Sequence, residues 1–458
     1  MDLGARQRET YETVVRHWDD PFIAERPALF SPGAAAQDTA NAKGAFGTFA
    51  QILLPLEYDG WMAETRAHVE SCYLGDWTSL NKILVRGPQA LEFLGGLGMN
   101  DLSVFELGQI KHHVQLDENG WVASEGVLCR LGEQEFLYTA GSGDWLRWQF
   151  GRGTWDAQVS DVSPDHFIFG VQGPKSLFAL ERATGESLRD IGFNRSRAAE
   201  LGGVAVRVLR TGISGELGYE VHGPANAANE VWSAVVAAGA DFGIRQLGLR
   251  SQSVQHIEAG IATNGLDYLP AAILSPGAPT QFRGRGAGGS FVPTGITDYF
   301  RKPGELGWGR RTVPAHDFIG RDALALEIAA GGTARVLAGL RWNAADVAGV
   351  FASLFTDGPV AEQMDVPRLN GPTFDQILVA GEPVGVSTGR AISLTARSTI
   401  SLGVIERPHA TVGTEVIVLW GRPGTAQREI RATVTALPFK PDRRRTDVTR
   451  LDAAGNGR

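Results

Sequence analysis

The run RTGISGELGYEVHGPANAANEVW, residues 210–232, decides how this chain is read. Its first half is a loop punctuated by Gly212, Gly215 and Gly218. Gly218-Tyr219-Glu220-Val221 then alternates with the two-residue period of a strand and presents one acid, Glu220. A Gly-Pro corner at 223–224 follows, and the apolar spacing beyond it is that of a helix stopping near Gly243. Glycine marks tight turns or backbone that passes close to something, so the question is what such a loop, followed by a strand that presents Glu220, serves.

The same grammar occurs twice more, in LVRGPQALEFL at 84–94 and GVQGPKSLFAL at 170–180. Each stretch predicts a short apolar strand, a Gly-Pro corner, and a helix with the proline in its first turn, where the missing N–H costs nothing. Alternating strands and helices imply sheets covered by helices on at least one face. The unequal spacings exclude a short-period solenoid. A further helix is predicted over 249–260, LRSQSVQHIEAG, and a long loop over 269–290, in which GRGAGG reads as a hinge. Beyond Gly331, RVLAGLRW, EPVGVSTG, ISLGVIE and TEVIVLWG alternate at short intervals and predict a compact antiparallel β unit.

At 458 residues the chain is too long for one ordinary core, and two or three domains are expected. A net charge of −8 provides no broad basic surface for nucleic acid or anionic lipid. Cys72 and Cys129 are too few for a disulfide framework or a cysteine metal site, and read as reduced thiols. The first twenty residues mix both charge signs, and no apolar run reaches the ~20 residues that cross a bilayer. The cytoplasm is the expected location, with neither nucleic acid nor membrane as partner.

No P-loop, no G-x-G-x-x-G after a strand and no clustered Cys/His spacing is present. His112 and His113 point to opposite faces of a strand, so no metal is expected. Acids and amides remain. Gln172 ends a strand where its amide either projects into a cleft or bonds its own turn. Glu125 interrupts an apolar strand, and its carboxylate must be solvated, paired or functional. Arg250 and Glu258 lie on one side of a predicted helix, as surface charges or members of ion pairs.

Taken in order, GVQGPKS, RTGISGELGYEVHGP and GLRSQSVQHIEAG resemble the folate-binding core of the aminomethyltransferase family, the T-protein of the glycine cleavage system. GGSFVPTGITDYF, HDFIGRDAL and TVGTEVIVLWG resemble the branch containing tetrahydrofolate-dependent vanillate and syringate O-demethylases. The likeness runs from about Leu53 to about Val434. It implies an α+β fold: a three-domain cloverleaf around a central folate channel, with a C-terminal antiparallel β barrel. The expected division is an irregular arm (1–50), a folate-binding core of two intertwined α/β subdomains (51–275), a linker and cover loop (276–333), the barrel (334–445) and a tail (446–458).

The resemblance implies that Glu220 and Gln172 bind the two edges of the pterin ring of tetrahydrofolate, with Arg250 and Tyr219 as further cofactor contacts. The glycines before Glu220 would let backbone approach the flat ligand. Against the aromatic demethylases the chain departs in one pocket. Gln252 stands where they carry the tyrosine that serves the leaving oxygen, and Thr78-Ser79 stands where they carry a histidine pair. Ser124-Glu125 stands where the T-protein has paired aspartates. The expected reading is a retained folate half and a changed substrate half: Gln252, Glu125 and Tyr58 as catalytic candidates, His256 as another, and Trp77, Thr78 and Ser79 lining the substrate. The expected activity is one-carbon transfer, as an O-demethylase, from a methoxylated and most simply aromatic small molecule to N5 of tetrahydrofolate. A formaldehyde-releasing carbon–carbon lyase and a non-catalytic folate-binding protein are the alternatives, and self-association into a homodimer is left open.

Overall fold

The structure is a computed structural model that describes residues 3–275, 287–365 and 371–452. Two sheets, each with a pair of helices on its outer face, form the core, and helices Trp61–Glu70 and Leu249–Glu258 pack against parts of the inner faces, at Tyr73 and Val114 respectively. In the six-stranded sheet the order is Ser196–Leu201, Val204–Leu209, Gly218–Pro224, His166–Gln172, Cys72–Asp76 and Ile244–Leu247. Neighbours are antiparallel except the last pair, which is parallel. Helices Ser176–Thr184 and Ala228–Gly239 cover one face, packing Leu177, Trp232 and Val235 against Phe167, Val171, Tyr219 and Val221. Each such side chain contributes about 1.5–3 kcal/mol by leaving water.

The five-stranded antiparallel sheet runs Ile110–Leu116, Val122–Gly132, Glu135–Ala140, Asn81–Arg86, Gln158–Asp161. Helices Ala90–Leu97 and Asp144–Phe150 close its outer face over Ile83, Val85, Leu128 and Phe136. The inner faces of the two sheets meet where Ile110 and Cys129 pack on Leu209. Strand Cys72–Asp76 belongs to the first sheet and Asn81–Arg86 to the second, so the chain crosses between them at residues 77–80. The two α/β units are therefore interleaved in sequence.

Both complete Gly-Pro corners obey one geometry. Gly87 and Gly173 share φ of 125°, and a Cβ on Gly173 would lie 2.6 Å from the Ser71 carbonyl oxygen. Gly223 instead lies in regular strand pairing. Helices begin at Ala90 and Ser176, two residues after the prolines, so Pro88 and Pro174 belong to the corner rather than to the first helical turn.

The C-terminal unit is a closed six-stranded antiparallel barrel from Arg335–Trp342 to Arg428–Thr435, filled by Leu340, Trp342, Ile377 and Val418. Other segments are more ordered than the sequence suggests. The supposed irregular arm contains helix Leu3–Arg16 and helix Ala34–Asp38, whose Gln37 is fully buried. The described part of the supposed linker carries helix Arg321–Ala329, and its Phe300 enters the core of the five-stranded sheet. Of the GRGAGG hinge, residues 284–286 lie outside the described residues. Among the described residues no helix is long and apolar enough to cross a membrane.

Candidate functional site

Strand alternation builds the site on the inner face of the six-stranded sheet. Gln172 stands between Gly218 and Tyr73 in one row, and Glu220 opposes Gly170 in the next. Glu220 and Gln172 are thus diagonal neighbours on one face, with Gly218 and Gly170 between them. A Cβ on Gly218 would lie 2.6 Å from Gln172 Cγ, and one on Gly212 would lie 2.4 Å from Gln172 Oε1. A Cβ on Gly170 would strike the Trp77 indole nitrogen at 2.1 Å. These glycines make room for the protein's own Gln172 and Trp77.

Gln172 is fully buried, and its Oε1 accepts a hydrogen bond from the Ser214 amide (3.1 Å). Its Nε2 has no partner among the described residues. The Glu220 side chain is 14% exposed, and its Oε2 pairs with His222 Nε2 at 3.1 Å. Burial first, then the Glu220 carboxylate, raises the Tyr73 phenol well above its ordinary pKa, so Tyr73 faces the site protonated. The site therefore offers one carboxylate, one open amide N–H and one phenol, converging from three strands.

A segment distant in sequence braces the glycine loop. Lys440 Nζ pairs with Glu216 Oε1 at 2.6 Å, with the two side chains 4% and 3% exposed. The Arg443 amide donates to the Gly215 carbonyl (2.8 Å), and Arg210 reaches the Thr446 carbonyl. Residues 439–451, past the barrel, thus strap the loop that feeds Ser214 to Gln172.

The remaining sequence-derived candidates divide. Tyr219 does not join Glu220: alternation sends it to the helix-covered face, where it is fully buried beside Leu177 and Trp232. Tyr58 packs in that same core, 6.5 Å from the Trp232 ring, rather than in the site. Arg250 leans toward Glu57 (3.9 Å), an acid also held by Lys43, and does not bond the Glu220 group. Thr78 is consumed structurally, its hydroxyl taking the Ile168 amide (3.1 Å). Trp77 Nε1 and Ser79 Oγ are buried without partners among the described residues. Gln252 gives one amide hydrogen to the Asp76 carbonyl (3.0 Å). Glu125 is 20% exposed and bonds His112 Nε2 at 2.9 Å. It shares a strand face with Cys129, whose thiol feels Glu220, so the two acids lie on facing sheets. His113 turns to the opposite side and donates to the Leu94 carbonyl. Glu258 is no surface charge; it is buried between His68 (2.8 Å) and Ser393 (2.6 Å).

Tyr73, His222 and Ser214 were missed by sequence reasoning. His222 had a usable signal, since it stands two residues after Glu220 on the same strand face.

The GCVT N-terminal domain model matches residues 36–272, more than half of the chain. This protein belongs to the GCVT aminomethyltransferase family. Among its relatives is a sesamin methylene transferase from Sinomonas sp., 38% identical over 88% of this chain and 94% of that one. A syringate O-demethylase from Sphingobium sp. is 30% identical over 84% and 90%. The crystal structure of the glycine cleavage aminomethyltransferase T from Bartonella henselae superposes with a TM-score of 0.68 at 22% identity, covering 90% of this chain and 98% of that one, which establishes the shared fold. Methylene, methyl and aminomethyl groups are all one-carbon units, and this family member is an enzyme of one-carbon transfer.

Proposed function

We propose that the protein takes a one-carbon group from an aryl ether oxygen of a small aromatic molecule and delivers it to tetrahydrofolate. The observation that carries this reading is the Glu220–Gln172 pair: a carboxylate and a buried amide N–H that has no partner among the described residues, on one sheet face. A reduced pterin is complementary to both. Its ring N–H and exocyclic amine form a donor pair for one carboxylate, and its ring carbonyl accepts from an amide. Ser214 already donates to the Gln172 oxygen, so the group Gln172 leaves wholly open to a ligand is its amide N–H. A buried N–H left open costs about 1–3 kcal/mol, which a ligand acceptor would recover.

Tetrahydrofolate, when bound, supplies a nucleophilic ring nitrogen. The chain's own task is to hold ring and donor in line. Glu220 and Gln172 fix the ring edges, and the facing strand with Glu125 bounds the donor side. Positioning of this kind can lower a barrier by up to about 7–11 kcal/mol.

Two donors fit: the methyl of a methoxyarene and the methylene of a methylenedioxyarene. One observation favours the second. Gln252 replaces the demethylase phenol and spends an amide hydrogen on Asp76. In a methylenedioxy group the oxygen that stays attached pushes electron density onto carbon as the other leaves, which lessens the demand for a strong acid. The 38%-identical relative that carries methylene in its name supports the same choice. The test is incubation with tetrahydrofolate and matched methoxy and methylenedioxy arenes, followed by mass spectrometry. Formation of 5,10-methylenetetrahydrofolate supports methylene transfer, and 5-methyltetrahydrofolate supports demethylation. Free formaldehyde formed without folate, or folate binding with no turnover on either series, would overturn the reading.

A further inference from the structure

The loop after helix Leu249–Glu258 ends in Tyr268, held by a bridge to Asn264. The Tyr268 side chain is fully buried, and its hydroxyl has no partner among the described residues. Its ring meets Trp308 edge-on at 6.1 Å, and Trp308 meets His112 edge-on at 4.9 Å. His112 in turn bonds Glu125. Tyr268, Trp308 and the His112–Glu125 pair therefore form one wall on the sheet that faces Glu220.

Phenylalanine would fill the same space without the cost of about 1–3 kcal/mol that a buried, unbonded hydroxyl carries. Burial, reinforced by the Glu125 carboxylate, holds the Tyr268 proton far above the ordinary phenol range. Such a group donates a hydrogen bond and keeps its proton. The other titratable groups around it also leave the hydroxyl unbonded: His256 sits 3.5 Å from Asp267, and Tyr138 bonds Ser124.

We infer that Tyr268 donates the hydrogen bond that stabilises the aryl oxygen as it separates from the one-carbon unit, the service that position 252 does not provide here. The C–O electron pair goes to the departing oxygen as the one-carbon unit bonds to a folate nitrogen, and the proton that this nitrogen gives up balances the one that the aryl oxide, hydrogen-bonded by Tyr268 Oη–H, takes from solvent on release; with a methylenedioxy donor the exchange occurs twice, once for each oxygen. Nothing else is consumed. The inference rests on the proposed transfer, but its test separates the two.

Tyr268→Phe should melt at or above the wild-type temperature and bind tetrahydrofolate equally well. Turnover of an aryl ether should fall about 100-fold. The loss should shrink to a few-fold when nitro groups make the departing phenol more acidic, a trend that a purely structural role would not produce. Catechol, titrated calorimetrically into folate-free protein, should bind about tenfold more weakly to the variant. Equal catechol binding and equal turnover, or a turnover loss independent of leaving-group acidity, would overturn the assignment. Should the wild type make no folate product yet bind catechol more tightly than Tyr268→Phe, the transfer reading fails and the donor site stands. Should the wild type bind no phenol at all, the donor site falls regardless of folate chemistry.

Discussion

Glu220→Gln tests the cofactor half of the site with little structural cost. The side chain is 14% exposed and its Oε2 bonds His222, so the second oxygen remains to meet a ligand. Glutamine keeps the shape but replaces an acceptor oxygen by an amine that confronts the pterin's own donors. The loss of one charge-assisted hydrogen bond is worth about 1.5–3 kcal/mol. At ~1.4 kcal/mol per decade, this is roughly a 10- to 150-fold rise in Kd for tetrahydrofolate. Glutamine keeps an oxygen that can accept from His222 Nε2 in the same place, so denaturant midpoints should barely move. Anaerobic titration calorimetry of wild type, Glu220→Gln and Tyr219→Phe gives the comparison. Tyr219 lies on the opposite face, and its variant should bind as the wild type does. A folded Glu220→Gln protein whose Kd stays within twofold of wild type would falsify the assignment of this carboxylate.

Three further expectations follow from packing and burial. Gly218→Ala places a Cβ 2.6 Å from Gln172 Cγ, so it should cost about 1–3 kcal/mol in urea unfolding and weaken folate binding as Gln172 is displaced; full retention of both would refute the glycine's role. Lys440→Met strands the Glu216 carboxylate at 3% exposure and should cost ~3–5 kcal/mol, while adding Glu216→Gln should restore most of it; an additive double variant would contradict the coupling. His113 is fully buried, and burial holds its imidazole at about 4 against an ordinary 6.5. Its folded pKa is depressed, so its share of stability is complete above the ordinary value and drains as pH falls toward the folded one. Urea titrations from neutral pH downward should show a loss approaching ~1.4 kcal/mol per pH unit, absent in His113→Gln; parallel curves would count against it.

The sequence carried the fold, and the shared face of Glu220 and Gln172, for local reasons. Gly-Pro corners and period-two alternation are short-range signals, and they put Glu220 and Gln172 at strand positions that share a face. The reading failed where partners come from afar. Tyr73 opposes Gln172 across strands nearly a hundred residues apart, so no local period could announce it. Tyr219 shows the opposite error: adjacency to Glu220 suggested shared duty, although adjacent strand residues point apart. Tyr58 failed because an aromatic next to a candidate pocket is more often core, and Trp232 claims it. Arg250 was carried over by motif, but Glu57, nearly two hundred residues earlier in the chain, draws it aside. Tyr268 lies in a loop with no period, where only the fold shows that its oxygen is unmatched.

The strap formed by residues 439–451 means that the family-matched unit, residues 36–272, is not a separable module. Excised on its own, it would keep Glu220, Gln172 and Tyr73 yet expose the underside of its glycine loop, with Glu216 deprived of its ammonium and Gly215 of its amide donor. Shortened versions made for engineering should therefore retain this return segment, or replace Glu216 with a neutral residue from the outset.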